Sequence, residues 1–380
     1  MLESSAGTSL RSLAAARASG SSSSLNEKAS ICTFQTAAES TVVSSDCEDL
    51  AKHTDLWFTD GSVILRAEST IYRVHISQLS RHSAFFRDLF TLPQSSSTST
   101  DGDGTDSDFL DGCPLVHLHD AAEDVSNLLA ALYDGPNFGN NDQTDFRVVS
   151  GILRLSTKYL CDALRAKALA HLSMAWPADL KAWDAREDYE KEGAVGHVFP
   201  SPVAIINLAR EINAPSLLPS AFYDLSRYSY AQIFEEFSPQ TLSPADMQRL
   251  CLGKEASQHA ITSMIRAMGS SQPTSHQPSS SHHSHQPSLA HVRTAKYCSS
   301  AAACRKDFAE LMDLATQHYL FDRERGHGDP LYVAEELGQL KGAEFSGSEC
   351  KACARSLETW AGKERDRMWR AVPGWFRLLE

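Results

Sequence analysis

Apolar residues along the chain first recur at short range. Trp57–Asp60, Val63–Ala67 and Thr70–Val74 are brief β-like runs, and Asp60-Gly61 is a hairpin turn signal. From Ile76 the period lengthens: Ile76, Leu79, Ser83, Phe86 and Phe90 follow helical spacing, and Pro93 closes the element. Leu115, Val116 and Leu118 predict a returning strand. Asp120 then caps a helix whose inner face is Val125, Leu128, Leu129, Leu132 and Tyr133, stopped by Gly135-Pro136. A helical pair follows, with Phe146, Val149, Leu153 and Leu160 on one face, then Leu164, Ala168 and Leu172, ending at Trp176-Pro177. A hairpin, a helix, a returning strand and several helices predict an α+β class: a small mixed sheet flanked by helices, followed by a mainly α-helical extension.

Between the patterned stretches lie segments without sustained period. Residues 1–49 are rich in Ser, Ala and Thr and bury too little apolar area to offset ordering entropy, so they predict a disordered tail. Gln94–Gly112 is a polar, acidic insertion inside the first unit, and 269–290 is a Ser/Pro/His-rich linker. The predicted organisation is a mixed unit at 50–177, a helical extension at 178–268, the linker, and a C-terminal helical unit at 291–380. In that last unit Phe308, Leu311, Met312 and Leu314, then Leu357, Trp360, Met368 and Trp369, carry the helical pattern.

Several motifs in this order resemble the BTB/POZ family of protein-interaction domains. They are Val63-Ile64-Leu65, Tyr72-Arg73-Val74-His75, the series His75, Leu79, Ser83, Phe86 and Phe90, the ending Leu132-Tyr133-Asp134-Gly135, and Leu155, Ser156, Lys158, Tyr159, Leu164 and Arg165. Residues 200–268 resemble the helical extension of basidiomycete fungal BTB proteins, through Ala209-Arg210-Glu211-Ile212, Leu218-Pro219, Ala221–Arg227 and Leu250–Gly253. The resemblance implies a non-catalytic adaptor or scaffold that homodimerises through its first strand and first long helix or recruits a partner. It also implies an alternative, a substrate adaptor of a cullin-dependent ubiquitin ligase. Such adaptors carry a hydrophobic-x-Glu element after the first long helix. Here that place holds Gln94–Gly112, a departure from their pattern.

Composition narrows the function classes. A net charge of −13, with no clustered Lys/Arg face, argues against direct nucleic-acid binding. No apolar run reaches the roughly 18 residues of a membrane span. Nine cysteines without a secretory signal predict reduced thiols and a cytoplasmic or nuclear address.

Three groups of residues carry candidate chemistry. Phe85 and Leu89 share a helix with the core positions Phe86 and Phe90 and are candidate interaction residues. His75, at a strand-to-helix junction, has no nucleophile and carboxylate spaced to work with it, so a structural hydrogen bond at the helix start is expected; the resemblance places it in the interaction unit. Cys298 and Cys304, with Cys350 and Cys353, form two pairs that read as buried reduced thiols, as a structural zinc site or as redox partners. The spacing leaves all three open. The His276, His282, His283, His285 and His291 group lies in linker sequence that fixes no ligand geometry. No other cofactor is expected, and no catalytic residue.

Overall fold

A computed structural model describes residues 50–92, 109–191, 198–235, 241–268, 298, 301–321, 328–339 and 350–379. The predicted tail at 1–49, most of the 94–112 insertion and the linker with its histidines lie outside these residues.

The mixed α+β class holds. Five strands, β1 (Ala51–Trp57), β2 (Val63–Ala67), β3 (Thr70–Val74), β4 (Phe109–Leu110) and β5 (Cys113–Leu118), form one sheet in the order β1-β3-β2-β5-β4. β2 and β3 are antiparallel, whereas β1 runs parallel to β3 and β2 parallel to β5. Asp60-Gly61 therefore does not close a hairpin. The hairpin turn is Glu68-Ser69, with Glu68 at φ 51°. β2 is central, and its consecutive Val63, Ile64 and Leu65 are all fully buried because both faces of the sheet are covered. Val63 and Leu65 join the main core; Ile64, Ile71 and Cys113 form a small second cluster beneath Trp57, Leu110 and Leu115. The last residues of the expected insertion are strand: Phe109 and Leu110 pair with Pro114 and Cys113.

The single helix expected from Ile76 is two, α1 (Ile76–His82) and α2 (Ala84–Thr91), broken at Ser83. Ser83 adopts extended backbone, and its Oγ accepts from the Phe86 amide at 3.0 Å and donates to the Tyr159 carbonyl at 2.5 Å. A serine that caps a helix and bonds a distant carbonyl is worth more at a break than on a helix face. Asp120 likewise does not cap the next helix, α3 (Ala122–Tyr133). Its carboxylate takes the Lys158 ammonium and the Tyr159 hydroxyl, and Glu68 instead receives the Ala122 amide at 3.0 Å.

Two helices, α4 (Gln143–Lys158) and α5 (Asp162–Ala175), complete this unit. In its core, Asp145 accepts the Gly139 and Asn141 amides and pairs with His171 at 2.6 Å. Burial works against the charge, but the His171 bond and the two amides hold this carboxyl below the usual carboxylate range.

The extension contains α6 (Leu180–Lys191), α7 (Pro202–Glu211), α8 (Leu218–Ser226), α9 (Tyr230–Glu235) and α10 (Pro244–Met268). α11 (Ala301–Thr316), α12 (Pro330–Gln339) and α13 (Lys351–Trp375) follow. One buried apolar cluster runs unbroken from Leu56 to Phe376. Phe308, Leu311, Leu357, Met368 and Trp369 face it as their spacing predicts, while Leu314 is exposed. Among the described residues no helix is long and apolar enough to cross a membrane.

Two buried arginines join the helices of the extension, and Arg227 also reaches the start of α12. The Arg186 guanidinium lies 4.6–4.7 Å from the Trp176, Trp183 and Phe199 rings and 3.1 Å from Asp224. Arg227 pairs with Glu187 at 2.7 Å and with Asp329, just before α12, at 2.9 Å. Burial works against its charge, yet Asp329, Asp224 and Glu187 hold its pKa above the ordinary value. Tyr223 donates its hydroxyl to Asp329 at 2.7 Å, and Trp369 donates its indole N–H to the Ala178 carbonyl at 2.8 Å. Phe376 is fully buried, stacked on Phe222 and pressed against the α10 backbone at Gly253.

A Cβ at Gly253 would lie 1.9 Å from the Phe376 ring. Gly253→Ala is expected to cost about 1–3 kcal/mol, the usual range for overpacking a filled core. Chemical denaturation of the full chain checks this; an unchanged or raised midpoint would show that Phe376 has room to move.

Candidate metal centre and interaction surface

The two cysteine pairs, 46 residues apart by the numbering of Cys304 and Cys350, come together at the starts of two helices. Cys304 is in the first turn of α11, and Cys298 lies just ahead of that helix. Cys350 is the N-cap of α13, and Cys353 follows in its first turn. The four sulfurs all lie within 4.8 Å of one another. Tetrahedral metal–thiolate bonds of about 2.3 Å would place sulfurs about 3.8 Å apart, so small side-chain rotations close the set around one ion. The clustering supports a metal-binding reading over unrelated buried thiols.

Electrostatics agree with the geometry. Cys304, Cys350 and Cys353 are buried and Cys298 half-buried. Burial first, then hydrogen bonds among the thiols, push Cys304 and Cys353 above the ordinary thiol pKa. Buried thiols crowded this way do not ionise together unless a cation neutralises them, and a bound metal removes their protons outright. Both helices also point their N-termini at the cluster, where the unsatisfied amides and the helix dipole favour negative charge. Arg305, Lys306 and Lys351, adjacent in sequence and exposed, add positive charge beside it. The seven described cysteines form no disulfide.

His75, at the start of α1, makes a structural hydrogen bond as expected, with Tyr133 as its partner. Its backbone N–H and its Nδ1 both meet the Tyr133 hydroxyl at 2.9 Å, and its Nε2 lies 3.3 Å from Asp60. The α1 cap has no side-chain hydrogen bond. The ring thus ties the end of β3 to the end of α3.

Phe85 and Leu89 fall on one face of α2, and Leu92 continues it. Phe85 is 39% exposed, Leu89 half-buried and Leu92 65% exposed. Phe86 is buried beneath, stacked on Tyr159 at 4.9 Å, with Phe90 half-buried beside it. The Phe85 ring also touches Tyr159, at 5.2 Å. Leu160 stands next to that contact, since its carbonyl accepts the Ala84 amide at 3.3 Å. It is 50% exposed and held at φ 53°, a left-handed conformation that costs a leucine energy.

Periodicity alone misplaces Leu160. The spacing predicts the helical pair but puts Leu160 on the first helix, whereas α4 ends at Lys158 and Leu160 lies in the break before α5, which neither Gly nor Pro marks.

No protein-family model matches this chain, and no curated protein matches it.

Cobalt(II) titrated into reduced, metal-stripped full-length protein is expected to give tetrahedral thiolate charge-transfer absorption, saturating at about one ion per chain. Cys304→Ser should abolish the saturating signal. An octahedral spectrum, or an unchanged one in that variant, would remove the metal reading.

Proposed function

We propose that this protein is a non-catalytic interaction scaffold: a BTB/POZ-like sheet unit recruits a protein partner or a second copy, and a zinc-stapled helical body supports it. The observation that carries this reading is the apolar stripe of Phe85, Leu89 and Leu92 with Leu160 beside it. Exposed apolar side chains in a row lose free energy to water until a partner covers them. A leucine held in strained backbone with half its surface in solvent contributes little to the core, which favours a role outside it. The small mixed sheet flanked by helices is the α+β class expected from the sequence, and it is compatible with this reading.

Zinc is the ion that suits four thiolates with no open coordination position, and a closed four-sulfur site supports structure rather than catalysis. Reduced, metal-bound cysteines also fit a cytoplasmic or nuclear protein.

A cullin scaffold is the second reading. The stripe runs along α2 directly into the segment where adaptors of the resembled family contact cullin.

Leu160→Gly separates a surface role from a packing role. Glycine accepts φ 53° without strain, so the thermal midpoint of the full chain is expected to hold or rise. Self-association measured by sedimentation, or binding to a cullin N-terminal domain measured by calorimetry, is expected to weaken about tenfold or more, as at an interface hot spot. A falling midpoint with undiminished association would place Leu160 in the core and sink the proposal. Loss confined to the cullin arm would put the second reading first.

A further inference from the structure

We propose that the cysteine centre is an oxidant-sensitive tie, in which peroxide closes one disulfide within each cysteine pair, releases the metal and parts the start of α11 from the start of α13. The inference rests on the zinc reading above.

The two pairs belong to separate stretches of chain, and the centre joins them. α11 otherwise packs mainly on α10, and α13 on α8, α10 and α12. Within each pair, a bridge needs no movement of one helix against the other. Cys350 and Cys353 are three residues apart at a helix start. Helix geometry sets such Cα atoms about 5 Å apart, inside the roughly 4.4–6.8 Å that a disulfide tolerates. Cys298 precedes α11 in non-helical backbone and can swing towards Cys304. Cys298 is also the half-buried member, the sulfur a small oxidant meets first.

The chemistry balances with hydrogen peroxide as oxidant. The Cys298 thiolate attacks one peroxide oxygen; an S–O bond forms, the O–O bond breaks, and the departing hydroxide is protonated to water. The Cys304 thiolate then attacks the sulfenic sulfur, an S–S bond forms, and a second hydroxide leaves as water. A second peroxide oxidises Cys350 and Cys353 in the same way. Four thiolates thus lose four electrons to two peroxides, and the zinc ion departs with no sulfur donor left to hold it.

The test uses full-length, zinc-loaded protein. Peroxide is titrated in with a chromogenic zinc chelator present, and non-reduced peptides are mapped by mass spectrometry. About two equivalents of peroxide are expected to release the bound zinc. The expected bridges are Cys298–Cys304 and Cys350–Cys353, and dithiothreitol with added zinc should restore the starting state. Retention of zinc at peroxide levels that oxidise the exposed Cys251 would overturn the inference and leave the zinc reading standing. Bridges between the pairs, such as Cys304–Cys353, would overturn the parting of the helices. A reduced chain that takes up no zinc would remove the reading beneath.

Discussion

A buried guanidinium governs how the helical part of this protein is assembled. Arg227 sits where a lone charge is not tolerated, and its compensation comes from Glu187 on α6, Asp224 on α8 and Asp329 before α12. Three elements far apart in sequence must meet there, or a charge stays buried without an answer. Tyr223 extends the requirement, since its buried hydroxyl donates to Asp329 and accepts the Leu331 amide at 3.2 Å. The C-terminal helices are thereby part of the body that holds the extension, and Phe376 and Trp369 fill the apolar space that this arrangement encloses.

The four-cysteine cluster is a second tie of different character. The arginine network is polar and buried, and its carboxylates raise the Arg227 pKa above the ordinary value. The thiols are short, and in the proposed zinc centre they would be anionic together and open to oxidants. The first tie joins α6 and α8 to the start of α12, and the proposed zinc centre would join α11 to α13 and answer to metal and redox conditions. Neither involves the α2 stripe, which leaves Phe85, Leu92 and Leu160 available on the sheet unit.

Much of the sheet unit was legible in the sequence. Val63–Ala67, Thr70–Val74 and the α3 inner face fall where their periods place them. The errors share a cause: a residue's strongest partner was distant. Ser83 bonds the Tyr159 carbonyl, Asp120 bonds Lys158, and β1 pairs in parallel with β3, skipping β2 in the sequence. Local pattern holds no record of such contacts. The cysteines were legible as two pairs with three readings open; only folding brings α11 and α13 together and favours one of them. The break between α4 and α5 was expected, but Leu160 was placed on the first helix because it keeps that helix's spacing two residues past its end.

The extension and the C-terminal helices share one charge-compensated core. Hydrogen exchange by mass spectrometry on full-length Asp329→Ala, beside its thermal unfolding, tests this directly. Losing this carboxylate while Glu187 and Asp224 still face Arg227 should cost about 1.5–3 kcal/mol. Exchange is then expected to quicken in α8, α12 and α13 together, with one lowered unfolding transition. Faster exchange confined to 328–339, with the midpoint unchanged, would show that the C-terminal helices stand apart and contradict the account.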